Sequence, residues 1–353
     1  LISWPGKLRL ITEPFASPPP QDADETLADF ARRRLGQEAL DKLIGPMVSG
    51  IFAGNPETMS LVSCFPRIAE LEREYGGLFK AMFRLARQKK KERAEGKVVS
   101  SAAGPGGTLT SFREGIQFLT DTLRQQLVTC IREGCEALSA KEEGGKYLIE
   151  TKGCGRLSSD ILIMAAPAYD AASILSHLDG DMAATLQQIP YASLSVVCCG
   201  YDRRQITHPL DGFGYLITGK EGRTTLGTLW DSSMFEDRAP SGSVLLRSMA
   251  GGACMPGLFS LSDAELLDRV RGDLNLIMEI NAEPSMVRVF RHQQAIPQYT
   301  VGHGKRLSDL DSMAGRHPGL FLTGNAFRGV GLNDCVASSI RTVEQVLRFL
   351  KGV

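Results

Sequence analysis

The sequence predicts an α/β fold of α+β character, with helices gathered early in the chain and an antiparallel sheet later. Three observations predict it. Near the C-terminus a short apolar run, Leu320 to Leu322, is followed by Gly324, Gly329 and Gly331. Val336, Ile340, Val343, Val346, Leu347 and Leu350 then recur at helical spacing, so the order is strand, glycine loop, helix. Between residues 194 and 250 four β-rich runs are separated by turn residues, which is a meander and therefore antiparallel. Between residues 24 and 91 the apolar residues recur at helical spacing.

Residues 1–20 read as an irregular lead-in ending in Pro18, Pro19 and Pro20, a stiff extended segment. Asp24 is the expected N-cap of a first helix that buries Leu27, Phe30 and Ala31 and stops at Gly36. Residues 37–44 read as a second helix, closed by Gly45 and Pro46, and residues 47–54 as a third that turns at Gly50. Residues 67–91 carry Ile68, Leu71, Tyr75, Leu78, Phe79, Met82 and Leu85 on one broad face. Arg87, Lys89, Lys90, Lys91 and Arg93 crowd its end. This is either a core-facing helix with a solvated basic end or an amphipathic surface that lies on anionic lipid. Residues 92–107 are polar and glycine-rich, as a loop is. A helix over 110–127 buries Phe112, Ile116, Leu119 and Leu123. Short strands are expected at 128–131, 136–139 and 147–151, with Gly144 and Gly145 turning between the last two. Residues 160–166 form an apolar strand closed by Pro167, with a helix to Leu178. The meander runs over 194–201, 212–218, 224–230 and 243–250. A helix over 263–280, a strand over 285–292 and a return segment over 295–301 complete the chain.

Composition narrows the function. Lys plus Arg and Asp plus Glu are both 40 in 353 residues, so the basic excess of a general nucleic-acid binder is missing. The eight cysteines form no C-x-x-C pair and the five histidines share no ligand spacing with them. Reduced thiols and no metal site are the expectation. No run of 18 apolar residues marks a membrane-spanning helix.

The glycine loop has a physical use. Without a Cβ the backbone approaches a ligand closely. The first free N–H groups of the next helix face that ligand, with the positive end of the dipole behind them. The bland alternative is a tight strand-to-helix turn that binds nothing. The segment Gly324-Asn325-Ala326-Phe327-Arg328-Gly329-Val330-Gly331-Leu332-Asn333-Asp334-Cys335 resembles the C-terminal FAD-contact motif of the protoporphyrinogen oxidases, members of the monoamine-oxidase-like flavoprotein superfamily. Residues 50–55, 63–66, 212–216, 226–230, 249–252 and Ile296-Pro297-Gln298-Tyr299 fit the same family in order.

The resemblance implies an FAD-binding, Rossmann-like domain, here incomplete, with a helical insertion and an antiparallel-sheet substrate domain. It divides the chain into a helical, membrane-facing part at 1–97, one FAD-domain part at 108–178, the substrate domain at 179–295 and the second FAD-domain part at 296–353. No strand-borne G-x-G-x-x-G occurs in the chain. The family carries that motif, and an arginine that holds a propionate, ahead of the point matching Leu1. A chain without the motif is expected to hold FAD weakly. The cofactor contacts implied are Cys135, His292, Gly324, Asn325, Gly329, Val330, Gly331, Leu332 and Asn333. His292 stands where the family often has Trp. Gly50, Gly214, Leu216, Leu229 and Met249 are implied as substrate contacts, being small or apolar as a flat tetrapyrrole face requires. Plain sheet core is the alternative for Leu229 and Met249. No catalytic side chain is assigned, because a flavin oxidase asks its protein for position, field and dryness.

The activity implied is oxygen-dependent oxidation of protoporphyrinogen IX. The rivals are coproporphyrinogen, an amine or a carotenoid as substrate, or a lipid- or partner-binding module that does no catalysis. A peripheral site on the inner face of a bacterial cell membrane is implied. A homodimer is an arrangement that the resemblance allows.

Overall fold

The structure, a computed structural model, describes residues 1–18, 24–94 and 109–352, without the side chains of Lys89 and residues 91–94. The early part is helical, as expected, but it begins sooner. The lead-in folds into a helix, Trp4–Ile11, capped by Ser3, and a 3-10 turn, Glu13–Phe15. Asp24 is not the cap of the next helix, Leu27–Arg34; Thr26 is, accepting from Asp29 N. Asp24 instead accepts from Ser60 Oγ and from Gly302 N at 2.7 Å. The third helix, Gly45–Phe52, runs straight through Gly50. The long face expected over 67–91 is two helices, Pro66–Tyr75 and Leu78–Ala94, because Gly76 takes the left-handed conformation at φ 74° and stops the first. The loop expected at 92–107 lies outside the described residues from 95 onward.

A buried charge cluster ties these helices together. Arg34 is 1 % exposed, and Glu13 and Glu72 are 0 % and 2 %. Arg34 Nε donates to Glu72 at 2.5 Å, and its Nη1 meets Glu13 and the Gly76 carbonyl. Arg33 bridges Glu25 and Glu72. Glu13 also accepts from Leu78 N and Phe79 N, at 2.8 and 3.1 Å, so its carboxylate caps the helix that follows Gly77.

Among the described residues, ten strands form three sheets. β1 (Glu136–Glu143), β2 (Lys146–Lys152) and β3 (Gly155–Ser159) make an antiparallel meander. Gly144 and Gly145 turn the first hairpin, both at positive φ. Residues 128–131, expected as a strand, are turn, and the helix expected over 110–127 is confined to Gln117–Gln126. Cys135 and Cys154 are joined in a disulfide with Cα atoms 5.4 Å apart, which corrects the expectation of reduced thiols throughout. The turns at Gly134 and Gly153 press so close that a Cβ on Gly153 would fall 2.3 Å from the Gly134 carbonyl. That contact brings together two cysteines 19 residues apart.

β4 (Leu162–Met164) pairs in parallel with β10 (Leu320–Leu322). Helices Ala168–Leu175, Gly180–Gln187 and His303–Ala314 pack around them, with Leu175, Met182, Leu186 and Leu310 fully buried. The last helix, Leu332–Lys351, leaves β10 across the glycine loop.

The third sheet has β5 (Tyr191–Asp202), β6 (Gly214–Leu216), β7 (Thr225–Trp230), β8 (Ser243–Gly251) and β9 (Met286–Pro297) in the order β6-β7-β8-β5-β9, every pair antiparallel. One face is covered by the helix Asp263–Met278, which opens on a capping box at Ser262 and Glu265. Leu266, Val270 and Leu274 pack there on Val197, Cys199, Trp230 and Leu246.

Removing the Glu72 carboxylate leaves two arginines facing each other without it. The Glu72→Ala variant is expected to lose about 3–5 kcal/mol of unfolding free energy, read from urea denaturation. A loss under about 1 kcal/mol, the exposed-pair range, would contradict this account of the cluster.

Candidate functional site

The site is built from the glycine loop and the face of the five-stranded sheet turned away from the helix Asp263–Met278, where Ala53 and Met255 pack on Leu194, Leu226 and Met249. Gly324 and Gly329 take φ of 115° and 99°, values that side chains rarely adopt. At Gly329 a Cβ would also lie 2.2 Å from the Asp334 Cβ. The loop is held from one side by two side chains. Tyr299 Oη donates to the Asn325 carbonyl at 2.5 Å and accepts from Gly329 N at 2.9 Å. His303 Nε2 lies 3.1 Å from the Phe327 carbonyl. A carbonyl can only accept, so Nε2 carries the proton. The two rings stack, 4.1 Å between centroids and 13° between planes. Burial pushes the Tyr299 hydroxyl up and the His303 imidazole down, the latter from 6.5 to about 4. His303 is therefore a neutral structural group whose Nδ1 is buried without a partner.

This bracing reaches Asn325, Phe327 and Gly329 but not the residues that follow, and Tyr299 and His303 themselves line the cavity beside the loop. Among the described residues, no acceptor meets the N–H groups of Val330, Gly331, Leu332, Asn333 or Asp334; the first intrahelical bond runs from Cys335 N to the Gly331 carbonyl. Gly331 is the N-cap, extended at φ −74°, with no side-chain cap. A cavity of about 830 Å³ opens beside Gly329, Val330 and Gly331, with Phe52, Phe65 and Phe327 among its walls. A cradle without Cβ atoms, a row of unpaired donors and a helix dipole fit a flat ring that gains negative charge.

The sheet face opposite the helix Asp263–Met278 is read through its register. One rank across five strands is Gly214, Leu229, Arg247, Cys198 and Arg288; the next is Leu216, Gly227, Met249, Val196 and Phe290. His292 stands one rank further, opposite Leu194. Four substrate contacts expected from the sequence, Gly214, Leu216, Leu229 and Met249, thus share one face. Gly50, the fifth, joins them from the helix Gly45–Phe52. A Cβ there would come within 2.8 Å of Leu216 Cδ2. Gly214 admits nothing larger, because a Cβ would fall 2.1 Å from the Thr228 carbonyl. Sequence reading missed Arg247, Arg288, Val196 and Phe290. Their alternation along β5, β8 and β9 was the available signal, but only pairing shows which alternate set faces away from the helix.

Sheet and loop meet at residues 52–60. Gln298 Nε2 donates to the Phe52 carbonyl at 2.8 Å, Ala253 N to the Ala53 carbonyl at 2.7 Å, and Ser60 N to the Tyr299 carbonyl at 2.8 Å. Gly324, Asn325, Gly329, Val330, Gly331, Leu332 and Asn333 are contiguous in the loop and the first turn of its helix. Cys135 lies elsewhere, in the disulfide beside β1, and His292 is exposed on β9.

The family described as flavin containing amine oxidoreductase matches residues 1–347. The chain belongs to that family. It is an FAD-dependent oxidoreductase, and the cradle at 324–333 suits the flavin. The chain is 30% identical over 352 residues to coproporphyrinogen III oxidase of Bacillus subtilis (strain 168), covering 99% of this chain and 73% of the relative. It is 33% identical over 365 residues to the chloroplastic protoporphyrinogen oxidase of Nicotiana tabacum, covering 99% and 67%. A crystal structure from Exiguobacterium sp. 255-15, assigned provisionally to protoporphyrinogen oxidase, superposes with a TM-score of 0.80 at 27% identity, over 99% of this chain and 73% of that one. Cyclohexylamine oxidase from Brevibacterium oxydans IH-35A shares the fold, with a TM-score of 0.61 at 14% identity over 98% of this chain and 74% of that one.

Gly331→Val separates the cradle from the fold. Its φ is ordinary and its Cβ would meet only the Asp334 carboxylate, at 3.1 Å. FAD affinity in the full-length enzyme is expected to fall more than about tenfold with the unfolding midpoint unchanged. Undiminished flavin occupancy would refute the placement.

His303 gives a pH dependence. With its folded pKa depressed to about 4 from 6.5, the unfolded chain binds the extra proton first. Stability supplied by the neutral ring is present above pH 6.5 and is lost as pH falls toward 4. A His303→Gln variant should show a shallower fall between those values in urea titrations. An identical slope would remove His303 from the account.

Proposed function

We propose that the protein oxidises a porphyrinogen macrocycle in porphyrin biosynthesis, converting protoporphyrinogen IX to protoporphyrin IX with oxygen as the final acceptor. The observation that carries this reading is the shared face. Gly214, Leu216, Leu229 and Met249 fall in two adjacent ranks, and Gly50 meets Leu216 at their edge. Such a face offers a flat, largely apolar bed of the kind a tetrapyrrole needs. The names of the Bacillus and Nicotiana relatives support the substrate class.

FAD, when bound, supplies the electron acceptor. The chain's own residues do the rest. The unpaired N–H groups of residues 330–333 orient the ring system and favour negative charge on it. The apolar ranks hold the macrocycle flat and keep water from it, so that burial strengthens every polar contact made there. Tyr299 and His303 hold the loop just before those donors, through Asn325, Phe327 and Gly329.

Coproporphyrinogen III is the second reading, favoured by the Bacillus relative and by the two arginines on the face. Peripheral attachment to the inner face of the cell membrane is part of the proposal. It is supported by Met82 and Phe83, 62 % and 72 % exposed on the helix Leu78–Ala94, near exposed Arg87 and Lys90.

One set of assays tests these points together. The full-length enzyme should consume oxygen with protoporphyrinogen IX at a kcat/KM at least about tenfold that for coproporphyrinogen III. The reverse ratio selects the second reading, and turnover of neither sinks the proposal. Sedimentation with anionic vesicles should fall in an Arg87→Glu, Lys90→Glu double variant. Unchanged sedimentation removes the membrane surface.

A further inference from the structure

We infer that Arg247 and Arg288 form a carboxylate-reading rank that sets which edge of the macrocycle points away from the glycine loop; the inference rests on the porphyrinogen reading above. Both residues pair with Cys198, one from β8 and one from β9, so all three lie in a single rank. They face away from the helix Asp263–Met278, as their neighbours show: Leu246, Ser248 and Val289 point to the helix side. Neighbouring strands lie ~4.8 Å apart, which puts the two arginine Cα atoms roughly 10 Å from each other.

The surroundings make these charges informative. The next rank toward the loop is apolar, with Leu216, Met249, Val196 and Phe290. Arg247 has one partner: its Nε and Nη2 each donate to Asp231 at 2.8 Å. That pair fixes the guanidinium, yet the side chain stays 39 % exposed. Arg288 is exposed and has no acid partner among the described residues. Cys198 sits between them as a neutral thiol, its pKa pushed up by burial. Two arginines and one aspartate therefore leave one net positive charge on the rank.

Direction follows from the strand. From Arg288 to His292 is four residues, roughly 13 Å of extended chain, and β9 continues from there toward Tyr299 and the glycine loop. A porphyrinogen lying on the apolar rank would thus turn its propionates to Arg247 and Arg288 and its opposite edge to the loop. Guanidinium suits this task, because it meets a carboxylate with two parallel N–H donors.

The test uses stable porphyrins and reads binding, so it does not depend on turnover. Coproporphyrin III and its tetramethyl ester, which carries no charge, are titrated against the protein by fluorescence quenching. Arg288→Ala should raise the Kd for the tetra-acid about tenfold and leave that of the ester unchanged. Arg288→Lys should recover part of the loss, and raised salt should weaken only the tetra-acid. If the parent binds both porphyrins and Arg288→Ala leaves the tetra-acid Kd unchanged, or weakens acid and ester equally, the arginine assignment is wrong while the substrate reading stands. If the parent binds neither, the substrate reading fails and takes this inference with it.

Discussion

The stack of Tyr299 on His303 is the contact on which the rest of the site depends. Three backbone groups of the loop, the carbonyls of Asn325 and Phe327 and the N–H of Gly329, are satisfied by these two rings. The Phe327 carbonyl would otherwise be a buried polar group without a partner, and the other two are half-buried. The bracing stops at Gly329, and among the described residues the donors of residues 330–334 stay unpaired. The same Tyr299 offers its carbonyl to Ser60 N, and Gln298 beside it reaches the Phe52 carbonyl. One short stretch of β9 and its continuation therefore positions the loop, the early helices and the sheet face at once.

Binding properties follow from that convergence. The helix Gly45–Phe52 reaches the sheet only because Gly50 lets Leu216 lie against its backbone. The Arg33–Arg34–Glu13–Glu72 cluster holds the helices Leu27–Arg34, Pro66–Tyr75 and Leu78–Ala94 together. The face carries an apolar rank of Leu216, Met249, Val196 and Phe290 beside a rank that holds Arg247 and Arg288.

Much of this was legible in the sequence. The strand, glycine loop and helix at 320–351, the meander and the hairpin at Gly144 and Gly145 carry local signals of period and turn chemistry. The five expected substrate contacts and the loop residues came from a resemblance, and the grouping of Gly214, Leu216, Leu229 and Met249 on one face is a matter of register. What escaped the sequence was set by contacts between distant residues. The helix at Trp4–Ile11 is stabilised by Ser3 bonding to Glu38. The disulfide depends on two turns pressing together, and no spacing rule reports that. Arg247 and Arg288 are 41 positions apart and meet only through Cys198, so neither looked different from a solvated charge.

The central claim is that the loop is braced as far as Gly329 while the amides that follow are unpaired, and amide hydrogen exchange by NMR tests it most directly. In flavin-free protein the Gly329 amide, bonded to Tyr299 Oη, should be protected, while those of Val330, Leu332 and Asn333 exchange freely. Adding FAD should protect these three and leave Gly329 as it was. Protection of all four before FAD is added, or no change at residues 330–333 on saturation, would contradict the account.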